Sequence, residues 1–153
     1  MPEPPTEGAA SVDRLIQTYG DSVTRGIFAR QHWAVVPLDR FHEIAAFMRD
    51  DPDLAFDFLV DVTAVHWPGD GFEMVYHFFS YARNDRMRLK VRVPEGAKVP
   101  TLSRLWRSAD WNERETYDMF GIEFEDHPDL RRILMPDDYT DFPLRKEFPL
   151  YRG

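Results

Sequence analysis

The C-terminal segment of the chain, residues 123–153, most tightly limits how the chain folds. Prolines recur along it, at Pro128, Pro136, Pro143 and Pro149. Each proline removes a backbone N–H donor and biases the preceding residue towards extended backbone, so neither a long helix nor a central strand is expected. The segment is nevertheless rich in apolar side chains: Phe124, Leu130, Ile133, Leu134, Met135, Tyr139, Phe142, Phe148, Leu150 and Tyr151. Because a solvated tail rarely carries so much apolar surface, it must pack on its own domain or lie along another protein, and we predict an extended partner-binding arm.

The rest of the chain has the composition of one domain with a real core. Of 153 residues, 43% are hydrophobic and 14% aromatic, and the length leaves no room for a second independent domain. Residues 1–10 are rich in proline and polar side chains, so we expect them to be disordered. The predicted folded domain is therefore 11–122.

Charge, cysteine content and hydropathy exclude several classes of protein. The net charge of -8 argues against nucleic-acid binding as the main function. Without cysteine, the chain has no thiolate ligand for an iron–sulfur cluster and forms no disulfide. No apolar run approaches the roughly 20 residues that span a bilayer, and the acidic start lacks a signal-peptide pattern. We expect a soluble protein that reaches a membrane only through partners.

Hydrophobic periodicity predicts an α+β fold: a mixed, largely antiparallel sheet of about five strands, with helices mainly on one face. Ser11 is a candidate N-cap for a first helix, and a second helix ends before Pro52. Strands are predicted at 24–29, 32–36, 56–65, 72–81 and 86–93, the last two forming a hairpin. The mostly apolar run 56–65 has the pattern of an interior strand near the sheet centre.

After Pro100, apolar residues at helical spacing predict a helix, namely Leu102, Leu105, Trp106 and Ala109. Asp110 and Glu113 then form a start resembling a capping box for a second helix that ends at Gly121. Within that helix, Arg114 lies four residues from both Asp110 and Asp118, the spacing of helical ion pairs.

The main candidate site is a charged cluster on this helix. Glu113, Tyr117 and Phe120 lie near one edge, where desolvation makes a charged partner valuable. We predict an ionic latch in which the helix charges hold the basic residues of the arm: Glu113, Arg114, Glu115 and Asp118 against Arg131, Arg132, Arg145 or Lys146. The alternative is a solvated charged face. An acid/base pair of Glu113 and Glu115 is disfavoured, because residues two apart on a helix do not face each other.

Two further clusters have ordinary structural explanations. Glu73 and His77 share one face of a strand, and Asp61 or His66 from a neighbouring strand would complete a metal site. Nothing in the spacing imposes that geometry, so histidines held by ordinary hydrogen bonds are expected. A second cluster, Arg86, Arg88, Lys90 and Arg92, would either grip an anionic surface or keep an outer face soluble.

Three blocks of the C-terminal third carry a family resemblance. They are Glu113-Arg114-Glu115-Thr116-Tyr117-Asp118-Met119-Phe120-Gly121-Ile122, His127-Pro128-Asp129-Leu130-Arg131-Arg132-Ile133-Leu134 and Arg145-Lys146-Glu147-Phe148-Pro149-Leu150. In order and spacing they resemble the 30 kDa subunit family of NADH-quinone oxidoreductase (respiratory complex I), its C-type subunits, as does the run from Phe56 to Pro68. Two departures stand out: the chain has Asp126-His127-Pro128 and Asp141-Phe142-Pro143 where such proteins usually show Gly-His-Pro.

The resemblance implies a non-catalytic structural subunit in the peripheral arm of a proton-translocating NADH:quinone oxidoreductase. Its main partner would be the D-type chain at the quinone site. This chain would hold no cofactor or metal, with FMN and iron–sulfur clusters in partner subunits. It would lie peripherally at the cytoplasmic face of the bacterial inner membrane. The expected partner-binding residues are those of the latch together with Phe120, His127, Phe148 and Tyr151.

Two alternatives remain open. The first is the equivalent subunit of a related membrane-bound hydrogenase or another complex with a different electron donor, because this chain touches no donor. The second is a free-standing hydrolase that uses Glu113, Glu115 and His127.

Overall fold

The computed structural model describes residues 7–128 of the chain. Its helices within this range are α1 (Ala9–Tyr19), α2 (Phe41–Asp50) and α3 (Ser108–Phe120). The strands are β1 (Thr24–Phe28), β2 (Gln31–Val36), β3 (Phe58–Trp67), β4 (Gly71–Ser80), β5 (Asp85–Val93), β6 (Val99–Pro100) and β7 (Phe124–Glu125). Short 3-10 turns follow α1 at Gly20–Ser22 and precede α2 at Leu38–Arg40.

Five strands form the main sheet in the order β1-β2-β5-β4-β3. Only the contact between β2 and β5 is parallel among these neighbours, and the other three are antiparallel. Between β1 and β2, Ala29 and Arg30 have φ angles of 50° and 66°, as a tight two-residue hairpin turn requires. The predicted α+β fold, its mixed sheet and the hairpin of β4 and β5 are confirmed.

The core lies on one face of the sheet, which we call the inner face. Alternate residues of β4 and β5 are buried there: Phe72, Met74, Tyr76, Phe78, Met87, Leu89, Val91 and Val93. From α2, Phe41 places its ring 4.8 Å from that of Tyr76, and from α3, Phe120 lies 6.1 Å from Phe72. Leu15 of α1 is fully buried in the same cluster. The helices therefore pack against the inner face, as predicted.

Strand β3 contradicts the prediction that residues 56–65 lie near the sheet centre, because it is the edge strand of the sheet. Leu59 is fully buried on the inner face, whereas Phe58 and Val60 are 40% and 48% exposed. A register shift between Leu59 and Asp61 marks a β-bulge at Val60. An apolar run at an edge has the same sequence pattern as an interior strand, so hydropathy alone did not separate them.

The predicted helix after Pro100 is also wrong: residues 101–107 form turns, and the helix begins at Ser108. The Leu102 carbonyl accepts hydrogen bonds from the N–H groups of Leu105 and Trp106, both at 3.0 Å. The Trp106 indole is buried and donates to the Phe56 carbonyl at 2.9 Å. Tertiary contacts of these side chains therefore account for apolar spacing that imitates a helix.

The N-terminal helix begins at Ala9, before the predicted N-cap Ser11. Ser11 is instead buried and donates its hydroxyl to Asp85 Oδ2 at 2.8 Å. The backbone N–H of Gly8 donates to the other Asp85 oxygen at 2.9 Å, and Glu7 forms an isolated parallel β-bridge with Gln31, the first residue of β2. Residues 7–10, which belong to the segment predicted to be disordered, are thus part of the fold.

None of the helices in residues 7–128 has the length and apolar character needed to cross a membrane.

Candidate functional site

The predicted site residues on helix α3 differ in how far they are exposed to solvent. Glu113 and Asp118 are fully buried, Arg114 and Phe120 are half-buried, and Glu115 is exposed. Glu113 and Glu115 therefore point in different directions, as their two-residue spacing on a helix requires. The two carboxylates do not converge on a common substrate position.

The Glu113 carboxylate faces the turn that precedes α3. One oxygen accepts a hydrogen bond from the Thr101 hydroxyl at 2.5 Å, and the other accepts from the backbone N–H of Leu102 at 2.7 Å. These bonds tie α3 to residues 101–103, where the Thr101 hydroxyl also contacts Ser103 Oγ at 2.9 Å. A buried carboxyl with both oxygens bonded within its own domain is a positioning group rather than an exposed charge.

His127, beyond the end of α3, returns to the first turn of that helix. Its Nε2 atom lies 3.1 Å from Asp110 Oδ1, 3.2 Å from the Asp110 carbonyl oxygen and 3.8 Å from Glu113 Oε1. The imidazole is fully buried. We refer to Thr101, Leu102, Asp110, Glu113 and His127 as the Glu113 cluster.

Burial governs the electrostatics of this cluster. Desolvation raises the pKa of Glu113 from 4.5 to about 7, although the hydrogen bonds from Leu102 and Thr101 oppose the rise. Asp110 adds a smaller upward effect through its negative charge. Tyr76, on the facing strand β4, has its pKa raised by burial and then by Glu113. The cluster therefore holds a buried carboxyl that titrates near neutral pH.

The chain leaving α3 is attached to the domain along its first residues. Strand β7 pairs in parallel with β6, and the Thr101 N–H donates to the Glu125 carbonyl at 3.0 Å. Ile122 and Phe124 are 2% and 4% exposed within the core. Phe124, which the sequence assigned to the arm, thus packs in the domain. Any separate arm begins farther along the chain.

Asp126 has a φ angle of 65°, in the left-handed region. The resemblance described above implies glycine at this position, the residue that adopts this conformation at the lowest cost. Asp tolerates left-handed backbone better than most other non-glycine residues. The turn that delivers His127 to Asp110 is therefore formed despite the substitution.

The ionic latch stays a prediction. Its basic partners, Arg131, Arg132, Arg145 and Lys146, lie outside the described residues, as do Phe148 and Tyr151. Arg114 makes neither of its predicted ion pairs, with Asp110 or with Asp118, among residues 7–128; its guanidinium lies 5.8 Å from the centre of the Trp111 ring. Within the described part of the chain, Glu113 is held by Thr101 and Leu102 instead of by arginine.

The residues considered for a metal site have other contacts. Glu73 forms ion pairs with Lys90 at 3.7 Å and Arg92 at 3.9 Å. His66 is buried on the inner face and stacks on Phe72 at 4.6 Å, whereas His77 lies across from Asp61 on the other face. Residues 7–128 contain no group of three or more candidate ligands arranged to hold a metal ion.

Thr101 is the member of the cluster that the sequence did not reveal, and the capping-box pattern assigned Asp110 and Glu113 a different contact. Asp110 is not an N-cap, because α3 begins at Ser108. The Thr101 hydroxyl meets a side chain twelve residues away, through a turn with no recognisable sequence signal. The sequence carries no sign that Glu113 is buried, because most of its neighbours along the chain are polar or charged.

The chain is similar in sequence to members of one protein family. Residues 34–152 match the family described as respiratory-chain NADH dehydrogenase, 30 Kd subunit. The chain is 43% identical over 143 residues to the NADH-quinone oxidoreductase C-type subunit 2 of Rhizobium meliloti (strain 1021), covering 89% of this chain and 76% of that protein. It is also 43% identical to the C-type subunits of Mycolicibacterium gilvum (strain PYR-GCK), covering 91% and 66%, and of Roseiflexus sp. (strain RS-1), covering 94% and 85%.

Two solved structures share the fold. A trypsin-resistant fragment of Nqo5 matches with a TM-score of 0.70 and 31% identity, over 78% of this chain and 98% of that one. A chain of the membrane-bound sulfane sulfur reductase, an archaeal respiratory membrane complex, matches with a TM-score of 0.79 and 25% identity, over 94% and 86%. The chain thus has a small α+β fold that also occurs in an archaeal respiratory membrane complex. The chain belongs to the 30 kDa subunit family of respiratory-chain NADH dehydrogenase.

Proposed function

We propose that this chain is a cofactor-free structural subunit in the peripheral arm of a proton-translocating NADH:quinone oxidoreductase. In this role it docks against the chain that forms the quinone site and supports electron transfer from NADH to quinone without carrying a redox centre itself. FMN and iron–sulfur clusters would belong to partner subunits, since this sequence has no cysteine to ligate a cluster. The complex would place this chain at the cytoplasmic face of the bacterial inner membrane.

The observation that carries the proposal is the anchored start of the C-terminal segment. Phe124 is buried in the core, and the imidazole of His127 is buried against Asp110. These contacts fix the point on the domain at which the proline-rich C-terminal residues begin. A segment that emerges from a rigid base loses less freedom when it binds, which favours docking.

The trypsin-resistant fragment of Nqo5 supports the distinction between a folded domain and a C-terminal docking segment. It matches 78% of this chain, so a fold that resists trypsin in Nqo5 accounts for most of the length of this chain. The Glu113 cluster lies within the compact body of this chain and joins α3 to the base of the C-terminal segment. Its buried position suits support rather than catalysis, because a substrate would have to reach a fully buried carboxyl.

A second candidate is the equivalent subunit of a complex with another electron donor. The fold match to a chain of an archaeal sulfane sulfur reductase complex favours it, since that complex is named for the reduction of sulfane sulfur and not of quinone. The identities to three C-type subunits of NADH-quinone oxidoreductase, each 43%, favour the NADH-linked complex.

The test is affinity purification of the tagged full-length chain at its native expression level, with identification of the bound subunits. The expected result is a complex that oxidises NADH and contains the quinone-site chain. Recovery of a hydrogenase or sulfur-reducing module would support the second candidate instead.

Two variants, a deletion and a control substitution, make this test more specific. Deletion of residues 129–153 should abolish recovery of the complex while leaving the domain folded, whereas R104A, an exposed arginine outside the proposed site, should recover it fully. A complex that assembles normally without residues 129–153 would contradict the docking role of the arm.

A further inference from the structure

Two arginines on the side of the sheet away from the helices, the outer face, lack a carboxylate partner among residues 7–128. Arg86 and Arg88 alternate with buried residues of β5 and so project from the same side of the sheet. The Arg86 guanidinium lies 5.5 Å from the centre of the Phe79 ring, and that of Arg88 lies 5.1 Å from the Trp33 ring. Arg88 also donates to the side-chain oxygen of Gln31. Both guanidinium groups are therefore held in position without an ion pair to a carboxylate of residues 7–128.

The next basic residues along the same strand differ in this respect. Lys90 and Arg92 both pair with Glu73, at 3.7 and 3.9 Å. Among residues 7–128, the outer-face cations of β5 that form no ion pair are thus the two at the beginning of the strand. Side chains two residues apart on one face of a strand are about 7 Å apart, which is also the repeat of alternate side chains in another extended chain.

A groove of about 420 Å³ lies beside these two arginines, and both line it. Its walls include Val60, which is 48% exposed, and His77. Burial, followed by the positive charge of Arg88, lowers the pKa of His77, so the imidazole adds no positive charge at neutral pH. Asp61 and Glu7 also line the groove and oppose a ligand with dense negative charge.

We propose that this groove, which we call the Arg86–Arg88 groove, binds an extended acidic segment of a partner protein subunit. Alternate carboxylates of the segment pair with the two guanidinium groups, which suit bidentate carboxylate binding. Intervening apolar side chains of the segment contact Val60 and the neighbouring Phe58, which is 40% exposed. This surface is separate from the C-terminal arm and rests on the proposed function only in taking the chain to be a docking subunit.

The observations favour an acidic protein over other anionic partners. Recognition of anionic lipid typically uses clusters of four to eight basic residues near a membrane, whereas two of the four here share the Glu73 carboxylate and Asp61 lines the groove with the other two. The overall charge of -8 opposes nucleic acid. Two spaced cations among apolar side chains instead complement a short alternation of acidic and apolar residues.

The test compares two charge reversals in the full-length chain within the purified complex. R86E/R88E should reduce recovery of the partner subunits at least tenfold, and R86Q/R88Q should give an intermediate loss. The control R104E/R107E changes the charge equally at exposed arginines away from the groove, and should assemble as the wild type does. Urea unfolding of each isolated variant separates lost docking from lost folding. Normal recovery with folded R86E/R88E would overturn the proposal.

A photocrosslinking phenylalanine in place of Val60 identifies what occupies the groove, because Val60 lines it and is 48% exposed. We expect a crosslink to an acidic segment of a partner subunit. A crosslink to lipid or nucleic acid, or none at all, would refute the assignment. Failure of the wild-type chain to recover any respiratory subunit would refute the proposed function instead, so the two failures are distinguishable.

Discussion

Replacing Glu113 by glutamine should change how the stability of the domain depends on pH. The folded state raises the pKa of this carboxyl from 4.5 to about 7, so folding favours its protonated form. Below pH 4.5 both states are protonated and the full stability is present. As the pH rises towards 7, the unfolded chain releases the proton first, and stability falls until the folded pKa has been passed.

The size of the effect follows from the shift. A difference of 2.5 between about 7 and 4.5 corresponds to about 3.4 kcal/mol at about 1.36 kcal/mol per pKa unit. About 2 kcal/mol of this falls between about pH 5.5 and 8.0. This range lies above the sequence pI of about 5.1, and so avoids the pH at which the protein is least soluble. Since Glu113 is fully buried, solvent screening does not reduce this energy.

E113Q is nearly isosteric with protonated glutamate. Its amide oxygen accepts from the Leu102 N–H, and its amide group donates to the Thr101 hydroxyl, whose proton turns to Ser103 Oγ at 2.9 Å. We expect the free energy of unfolding of E113Q to exceed that of the wild type by a margin that grows with pH. This margin should be about 2 kcal/mol larger at pH 8.0 than at about pH 5.5. Urea denaturation of both proteins at both pH values measures this double difference and cancels the other carboxylates.

E115Q is the matched control, because it removes the same charge from an exposed position on the same helix. It should show no such pH-dependent difference. His127 faces Glu113 at 3.8 Å, and Asp110 and Tyr76 are the other titratable groups described around it. If the wild type and E113Q differ equally at both pH values, the carboxyl does not titrate in this range. The burial argument would then be wrong.

Three further predictions test the fold and the arm. G71A should cost about 1–3 kcal/mol more than G69A, because both residues have positive φ but a Cβ at Gly71 would overlap the Val93 carbonyl oxygen, whereas Gly69 has open space. Thermal denaturation compares them, and equal costs would contradict the close approach. Trypsin should cut the isolated chain within 129–153 before it cuts β5, as mass spectrometry would show; equal resistance in a verified monomer would mean that the arm folds back on its own domain. R132A and R145A should reduce recovery of the complex on native gels more than they lower the Tm of the isolated chain, since losing one member of a desolvated pair costs about 3–5 kcal/mol and losing an exposed pair under about 1 kcal/mol. Unchanged assembly with both variants would leave these arginines on a solvated surface.

Local pattern was sufficient where one element carries its own signal. Strand β5 alternates apolar and basic residues, and its hairpin with β4 follows from that alternation and the intervening polar turn. The buried positions of α2 recur at helical spacing, at Phe41, Ile44, Ala45 and Met48. Family membership followed from motif blocks whose order and spacing can be recognised in the sequence without knowing any contact between residues.

Local pattern failed where a distant neighbour decides the outcome. Whether β3 is central or at the edge depends on which strands pair beside it, and its apolar residues fit both positions. Residues 101–107 have helical spacing, but the buried Trp106 indole bonds to Phe56, fifty residues earlier. Hydropathy reports that a side chain is apolar, and it does not report which surface covers it.

The sequence by itself determined the family, the α+β class, the absence of cysteine and the proline-rich apolar character of the C-terminal segment. Only the tertiary structure decided that Glu113 is a buried, protonatable support that joins α3 to Thr101, Leu102 and His127. The physical reason is that the pKa of a carboxyl depends on the groups and solvent within a few ångströms of it. The fold assembles those groups from separate parts of the chain, and spacing along the sequence does not encode them.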